Sequence, residues 1–183
     1  MQALNPEKWL ERYGDLLFQY TLPRVTDTVL AEDLVQETFL AAFRNRSNYR
    51  GEASEKNWLF AILKNKIIDY YRSKRQVNEN LPVQEDSDDW FTSEGDWIAA
   101  KIPGEWNTAA VKLDARDLAK VLEACKNRLR NLQQQVYILR YLENLEAVEI
   151  CKVLGISPSN YWILLHRARL QMRDCMEKNW FKK

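Results

Sequence analysis

Apolar side chains recur every three or four residues through the first 76 positions, the period of an amphipathic α-helix. This spacing predicts a helix over Pro6–Tyr20, which Pro23 should prevent from continuing. Further helices are predicted from about Asp27 to Arg46 and from about Asn57 to Gln76, with a polar loop at Asn45–Lys56 between them. Together they can bury one core and form a first domain. The predicted inner positions of the first two helices are Trp9, Leu10, Tyr13, Leu16, Leu17 and Tyr20, then Leu30, Leu34, Thr38, Ala41 and Ala42, with Val35, Phe39 and Phe43 beside them.

The C-terminal third shows the same periodicity in shorter segments. Two helices are predicted at Arg116–Arg130 and Leu132–Leu142, followed by Leu145–Leu154 and a longer helix from Pro158 to about Lys178. Between the last two lies a tight Gly-centred turn, after which Ser157 is a good N-cap and Pro158 suits the first helical position. A short helix, a tight turn and a long Arg-bearing helix predict a helix-turn-helix.

The long last helix has two predicted faces. Its inner face is Tyr161, Leu165, Ala168 and Met172, expected to pack on Val148, Ile150, Leu154 and Ile156. An exposed Trp and Ile at the start of the outer face need an explanation, and contact with thymine methyl groups in a major groove is one. The alternative is that they cover another helix while the Arg residues form a solvated face. The outer face carries Ser159, Asn160, Trp162, Ile163, His166, Arg167, Leu170 and Arg173.

Composition and charge refine this picture. Strand signals are scarce, and five Gly and five Pro in 183 residues leave room for long helices, so the predicted class is all-α. The overall charge of +1 conceals a segment of net −6 at Leu81–Ala115 and one of net +6 at Arg116–Lys183. The acidic segment contains Trp90, Trp97 and Trp106, so we expect an extended linker that docks on something. The basic segment suits a polyanion.

Three cysteines, a single histidine and no CxxC make a structural zinc site an unfavoured interpretation. We expect Cys125, Cys151 and Cys175 to be reduced, with at least two in helix cores. No membrane-spanning run or signal pattern occurs, which predicts a soluble cytoplasmic protein. No metal or other cofactor is predicted. The chain shows no nucleophile–base pair, phosphate-cradling Gly loop or metal cluster, so an enzyme is not expected.

Two motifs resemble a known family. EIxxxLGIS at 149–157, followed by LHRAR at 165–169, resembles region 4 of sigma-70-family sigma factors. AEDLVQETFLAAF at 31–43, Tyr49-Arg50-Gly51 and NWLFAILKNKIID at 57–69 resemble region 2 of the extracytoplasmic-function (ECF) class. The resemblance implies two small helical domains, 1–76 and 116–183, joined by an extended acidic linker at 77–115. It also implies a factor that binds core RNA polymerase and directs initiation at −10 and −35 promoter elements.

The resemblance assigns roles residue by residue. Asp33, Gln36 and Glu37 are implied to bind core polymerase, although by spacing alone they are ordinary solvated acids and an amide. The −10 element is implied to contact Tyr49, Arg50, Asn65, Lys66, Asp69, Arg72 and Arg75, and for Tyr49 local packing under the loop is an equal alternative. The −35 element is implied to contact Ser159, Asn160, Trp162, Ile163, His166, Arg167, Arg169 and Arg173. Trp162 and Ile163 depart from the Lys, Arg and Ser common in ECF recognition helices, which favours shape and methyl contact here.

The family also implies partners beyond polymerase and promoter DNA. ECF factors are commonly held by an anti-sigma protein, so such a protein or another regulatory partner is expected, without membrane insertion. The linker tryptophans are expected to dock on polymerase, between the domains, or on an inhibitor. A competing interpretation is a dimeric helix-turn-helix regulator that binds duplex DNA without joining polymerase. It explains the C-terminal motif but not the pair of motifs at 31–43 and 57–69.

Overall fold

The computed structural model describes residues 4–78 and 115–181, together with positions 90, 96, 98, 99 and 102. Within these ranges every regular element is helical and no strand occurs, which confirms the all-α prediction. The chain divides into an N-terminal unit, Met1–Gln76, and a C-terminal unit, Val77–Lys183. Most of the predicted acidic linker lies outside the described residues. Within it, Trp90 is buried and its carbonyl accepts a hydrogen bond from the Ile98 amide.

The N-terminal unit consists of three helices that bury one apolar core. They are α1 (Trp9–Val25), α2 (Thr28–Arg44) and α3 (Glu55–Asn78). A 3₁₀ turn precedes α1, and the Asp27 side chain caps α2 by accepting from the Leu30 amide. Burial of this core supplies the apolar driving force that holds the three amphipathic helices together. Fully buried apolar side chains of the unit are Leu17, Ala31, Ala42, Leu59, Leu63 and Ile67.

The first helix extends further than the sequence predicts. It runs to Val25, so Pro23 lies inside it and does not end it. A proline removes one backbone donor and crowds the carbonyl four residues earlier, so it usually ends a helix. Here the helix continues for two more residues and ends at Thr26, which takes a left-handed conformation and donates its amide to the Leu22 carbonyl. Since only the last turn is affected, packing of the buried Val25 maintains the helix beyond the proline.

Three positions predicted to be inner are on the surface. Leu10, Leu16 and Phe43 are each more than two-fifths exposed. The helical period places them at the margin of an apolar stripe, and which margin is covered depends on where neighbouring helices lie. The prediction that they line the core is therefore wrong, although Leu17, Leu34 and Thr38 from the same predicted sets are buried.

The C-terminal unit has four helices in its described part. They are α4 (Ala115–Asn127), α5 (Asn131–Tyr141), α6 (Ala147–Leu154) and α7 (Pro158–Met176), and a π-helical turn at Glu177–Phe181 follows α7. The last helix contacts each of the other three, so it forms the centre of the unit. No helix in the described part of the chain is long and apolar enough to cross a membrane.

One apolar cluster joins α4 to the C-terminal half of α7. Its buried members are Cys125, Leu129, Ala168, Met172, Cys175 and Met176, with Trp180 and Phe181 packed against them. Within this cluster Cys125 and Cys175 form a disulfide, with their Cα atoms 5.7 Å apart. The expectation of three reduced cysteines is therefore wrong for this pair, because the fold brings together two positions 50 residues apart in sequence. Cys151 is a free thiol.

Candidate nucleic-acid interface

The turn between α6 and α7 has the geometry of a helix-turn-helix. Gly155 ends α6 in the left-handed conformation with φ of +68°, which glycine adopts at no steric cost. The next amide, that of Ile156, donates to the Cys151 carbonyl and closes the turn. Ser157 then caps α7, its hydroxyl accepting from the Asn160 amide at 3.2 Å, and Pro158 occupies the first helical position. The predicted cap is thus confirmed.

The two faces of α7 are largely those that the sequence predicts. The whole predicted inner face of Tyr161, Leu165, Ala168 and Met172 is buried, and from α6 so are Ile150 and Leu154. Val148 is wrongly placed in that contact, since it is 65% exposed on the outer side of α6. At the start of α7, Trp162 is 58% exposed and Ile163 is 50% exposed. Within the described unit, no helix buries these two apolar side chains.

The basic residues of α7 differ in how far the protein itself engages them. Arg169 donates from Nε to the Tyr141 hydroxyl at 2.6 Å and lies over the same ring. Arg173 donates from Nε to Glu177 at 2.9 Å, one turn further along. His166 is exposed and Arg167 is half-buried near the middle of the helix. Sequence reasoning missed the role of Tyr141 as the partner of Arg169. The available signal was its four-residue spacing from Tyr137, which places both rings on one face of α5.

A buried tyrosine lies beneath the exposed turn of α7. The Tyr161 ring is fully buried and meets the Trp162 ring edge-on, with centroids 5.0 Å apart. Its hydroxyl has no hydrogen-bond partner among the described residues. Desolvation by burial raises the pKa of Tyr161, so the phenol stays neutral. The packed ring gives Trp162 a fixed base, which limits the rotamers open to the exposed indole.

On α2, a stripe of both polar and apolar side chains is exposed to solvent. Asp33, Gln36 and Glu37, the predicted polymerase contacts, are all exposed. The stripe also includes exposed apolar residues that sequence reasoning missed. Together Val29, Asp33, Gln36, Leu40 and Phe43 follow alternating steps of four and three residues. That repeat is the one by which a helix packs along a coiled-coil groove, so the spacing itself was the available signal.

An ion pair crosses from α2 to α3. Lys66 donates from Nζ to Glu37 at 2.8 Å, and both side chains are partly exposed. The sequence assigns Glu37 to polymerase binding and Lys66 to −10 DNA, and the structure brings the two together. An exposed pair of this kind contributes about 0–1 kcal/mol to stability, so either partner can be released at little cost.

The polar face of α3 carries the remaining predicted −10 residues. Asn65, Asp69 and Arg72 are all exposed, at helical intervals of four and three. Arg72 donates to Asp69 within the helix, which orients the carboxylate along the surface. The side chain of Arg75 lies outside the described residues. An exposed carboxylate and amide side by side have the acceptor and donor groups that base edges require.

The loop before α3 holds Tyr49 and Arg50 differently. The Tyr49 ring packs on Trp58 with centroids 5.2 Å apart, and its hydroxyl donates to the Ala53 carbonyl. Arg50 is exposed. Gly51 follows in the left-handed region with φ of +75°, which lets the loop reverse direction. Tyr49 therefore packs within the loop and supports it in the free protein. The Arg50 side chain is exposed to solvent instead.

A carboxylate at the start of α3 ties this loop to the chain's N-terminal segment. Glu55 accepts hydrogen bonds from the Asn5 amide at 2.8 Å, the Trp9 indole at 2.6 Å and the Tyr13 hydroxyl at 3.0 Å. Burial by itself raises the pKa of Glu55, but these hydrogen bonds and the charge of Arg12 outweigh it, so the net pKa lies below its ordinary value. Sequence reasoning missed this site.

Comparison with sequence families finds two matching regions. The family described as Sigma-70 region 2 matches residues 9–77, which contain α1 to α3. The family described as Sigma-70, region 4 matches residues 119–172, which include the helix-turn-helix. Both matches fall on the units that carry the exposed faces described above.

Two sequence relatives match this chain over most of its length. A probable RNA polymerase sigma factor from Haemophilus influenzae is 36% identical over 171 residues, covering 92% of this chain and 88% of the relative. The ECF RNA polymerase sigma factor SigX from Bacillus subtilis is 26% identical, covering 91% of this chain and 81% of the relative. The structure of sigma factor RpoE with anti-sigma factor NepR from Bartonella quintana is 20% identical, covering 94% of this chain and 97% of that one, at a TM-score of 0.44.

Proposed function

This chain belongs to the ECF class of sigma-70-family sigma factors, and from that premise we propose which of its faces meet polymerase and promoter. As a sigma factor it binds core RNA polymerase and directs transcription initiation. The proposal assigns the exposed stripe of α2 to core polymerase, the polar face of α3 with Arg50 to the −10 element, and the outer face of α7 to the −35 element. Acting as an initiation subunit, the protein is proposed to work in the cytoplasm and to carry no catalytic site of its own.

The observation that carries the assignment of α7 is the exposure of Trp162 and Ile163 on its first two turns. Two adjacent large apolar side chains exposed together form a patch, and exposed apolar patches mark contact surfaces more often than single exposed residues do. A helix capped by Ser157 and supported by the buried Tyr161 can enter a major groove with its N-terminal turns foremost. There the two apolar side chains meet thymine methyls, while Arg167 reaches a base edge or phosphate.

The α2 stripe supports a docking role because it combines apolar ends with a polar centre. Val29 lies at one end and Leu40 and Phe43 lie at the other, with Asp33 and Gln36 between them. Apolar ends supply burial when a second helix packs along the stripe, and the central polar groups select its register. We propose that Asp33 and Gln36 are the polar groups that set the register of the bound helix.

The proposed −10 face uses groups that are already oriented by the protein. Asp69 is held by Arg72, and Lys66 is held by Glu37. Asp69 can accept from a cytosine amine, and Asn65 can pair with a base edge through its amide. Flanking cations supply phosphate contacts whose strength depends on salt. Tyr49 stacks on a base only if it leaves Trp58, so its part in the −10 contact is proposed as secondary to that of Arg50.

Run-off transcription tests the function directly. Core RNA polymerase from the source bacterium is incubated with genomic fragments, with and without the full chain, and new transcripts are mapped. The expected result is chain-dependent initiation at a small set of start sites. The dimeric regulator alternative instead expects duplex binding without polymerase and no new start sites. Failure to stimulate initiation on any fragment with the cognate core would overturn the proposal.

A matched pair of leucine variants tests the α2 docking face. Leu40→Ala removes an exposed side chain from the stripe, and Leu10→Ala removes a comparably exposed side chain from α1. Burying most of a leucine is worth about 1.5 kcal/mol, so we expect Leu40→Ala to weaken core binding roughly tenfold. Leu10→Ala should leave the core affinity within twofold. Equal effects of the two variants, measured by competition for core polymerase, would contradict the assignment.

A further inference from the structure

A cavity of about 200 Å³ lies between α4 and the end of α7, and the Cys125–Cys175 disulfide forms part of its wall. Cys175 is 9% exposed and Cys125 is 2% exposed. Two cationic side chains, Lys120 and Arg128, also line the cavity, and among its described lining residues there is no carboxylate. Lys120 pairs with Asp117 one turn away, at 3.0 Å. The disulfide is thus neither sealed in the core nor open on the surface.

The two sulfur atoms have different surroundings. Arg128 donates from Nη1 towards the Cys175 sulfur at 3.9 Å, and Asn179 donates from Nδ2 to the same sulfur at 3.5 Å. A guanidinium and an amide donor beside a sulfur stabilise its thiolate form, which is the form that reacts. Cys125 is the more buried member of the pair. Cys175, which is slightly less buried and has two donors beside it, is therefore the candidate attacking sulfur, and Cys125 is the candidate resolving one.

The third cysteine offers a contrast within the same unit. Cys151 is half-buried on α6, and it lies outside the cavity wall. Desolvation by burial raises the pKa of its thiol, which lowers the fraction present as thiolate at neutral pH. Cys151 therefore lacks the cavity position of Cys175, although its side chain is the more exposed of the two.

We propose that Cys125 and Cys175 form a reversible thiol–disulfide exchange site whose co-reactant is an anionic low-molecular-weight thiol and its disulfide. In the oxidising direction, the Cys175 thiolate attacks the small disulfide, forming a mixed disulfide and releasing one small thiolate. The Cys125 thiolate then attacks the Cys175 sulfur, forming the internal disulfide and releasing the second small thiolate. Two protein thiols are oxidised and one small disulfide is reduced to two thiols. In the reverse reaction a small thiolate attacks Cys175.

The cellular setting favours exchange over a permanent cross-link, a point that rests on the proposed function. RNA polymerase works in the cytoplasm, where thiol pools keep most cysteines reduced, and disulfides found there are usually transient or redox-sensing. The two cationic side chains that line the cavity suit a co-reactant that carries carboxylates. A buried structural disulfide, by comparison, has no need of a lined approach to one of its sulfur atoms.

The consequence for the protein is a covalent tie between α4 and the last turn of α7. Oxidised, the two helices are joined at Cys125 and Cys175 in addition to their apolar contacts. Reduced, the apolar cluster around Met172 and Leu129 alone holds them. We expect amide hydrogen exchange in α4 to become faster on reduction, by at least tenfold, because the tie no longer limits local opening.

A redox titration of the full chain tests the proposal. The protein is equilibrated with mixtures of reduced and oxidised glutathione, the free thiols are trapped with an alkylating reagent, and the intact mass is measured. We expect two thiols to be lost together and regained reversibly without denaturant. Cys151→Ser should titrate like the wild type. Cys125→Ser should accumulate one glutathione on Cys175, whereas Cys175→Ser should accumulate little.

A kinetic variant keeps the test informative if a cysteine variant fails to fold. Arg128→Gln removes the charge beside Cys175, and Lys152→Gln removes an exposed charge from α6. Arg128→Gln should slow exchange measurably, because loss of the positive charge beside Cys175 lowers the fraction of that cysteine present as thiolate. Lys152→Gln should leave the rate unchanged.

Three results would overturn the proposal: thiols that stay reduced at every glutathione ratio, a disulfide that resists reduction until the protein is unfolded, or a mixed disulfide on Cys125 in the wild type. Equal rates for Arg128→Gln and Lys152→Gln would contradict the role of Arg128. The titration contains no polymerase or DNA, so its failure leaves the transcription assay to stand or fall separately.

Discussion

Replacement of Trp162 by alanine should weaken promoter binding while sparing the assembly of the protein with core polymerase. The indole is 58% exposed at the start of α7, and it meets the Tyr161 ring edge-on. An aromatic side chain of this class buries about 150–250 Å², so roughly 120 Å² of Trp162 is open to a ligand. In the proposed complex this surface lies against the floor of the −35 major groove.

The magnitude follows from that exposed area. Full burial of about 120 Å² of apolar surface at 25 cal/mol per Å² is worth about 3 kcal/mol. We take about half of that surface as covered in the groove, which leaves about 1.5 kcal/mol, or a tenfold loss of promoter affinity. Trp162→Phe should lose about threefold, because most of the ring surface is kept. Leu122→Ala, at an exposed position on α4, is the control and should change affinity by less than twofold.

The measurement is binding of the reconstituted holoenzyme to a promoter taken from the run-off assay, repeated at several salt concentrations. Trp162 carries no charge, so its removal should shift the binding curves without changing their salt dependence. Thermal unfolding is measured in parallel, since loss of the contact with Tyr161 costs about 0.5–1.5 kcal/mol of stability. If Trp162→Ala lowers the melting temperature but leaves promoter affinity within twofold, the indole is a packing residue and the assignment of this face is wrong.

Two further predictions concern stability, and amide hydrogen exchange can follow both in each unit separately. Glu55→Gln should destabilise the N-terminal unit by about 2 kcal/mol at pH 7, because three donors lose a charged acceptor, whereas the exposed Glu52→Gln should not. Since the folded pKa of Glu55 lies below its ordinary value of 4.5, this stabilisation is complete above that value and is lost as pH falls through the folded pKa. A difference between variant and wild type that does not shrink at all on acidification from pH 7 would contradict the mechanism. Gly155→Ala should lower the stability of the C-terminal unit by about 1–2 kcal/mol, because φ is +68° at that position. Gly51→Ala should lower the stability of the N-terminal unit only. If amide protons of α6 and α7 exchange no faster in Gly155→Ala than in the wild type, the expectation for Gly155 is refuted.

The local pattern of the sequence predicted much of α7 and its turn. Steps of three and four residues identified Tyr161, Leu165 and Ala168 as one buried face, because a helix leaves little freedom in which positions share a side. The cap at Ser157 depends only on groups within the next turn and was equally accessible. Val148 was misplaced, since a helix of eight residues has few turns to define its apolar face.

Other features depend on what a residue meets far along the chain. Pro23 stays helical because Val25, beyond it, is buried in the core of the unit. Phe43 follows the helical period of the inner stripe but lies at its margin, where it stays half exposed in the described N-terminal unit. Periodicity gives the direction of a side chain from its own helix, and it does not give the position of the next helix.

The sequence by itself determined the helical class, the helix-turn-helix and the family, because each rests on short-range spacing and on motifs that stand whole in the chain. Tertiary structure alone decided the Glu55 network, whose donors lie 42 to 50 residues away, and the pairing of Cys125 with Cys175. It also decided that Arg169 is held by Tyr141 while Trp162 is left exposed. Hydrogen bonds, disulfides and exposure are properties of groups brought close by folding, and a linear pattern specifies which groups exist without specifying which of them meet.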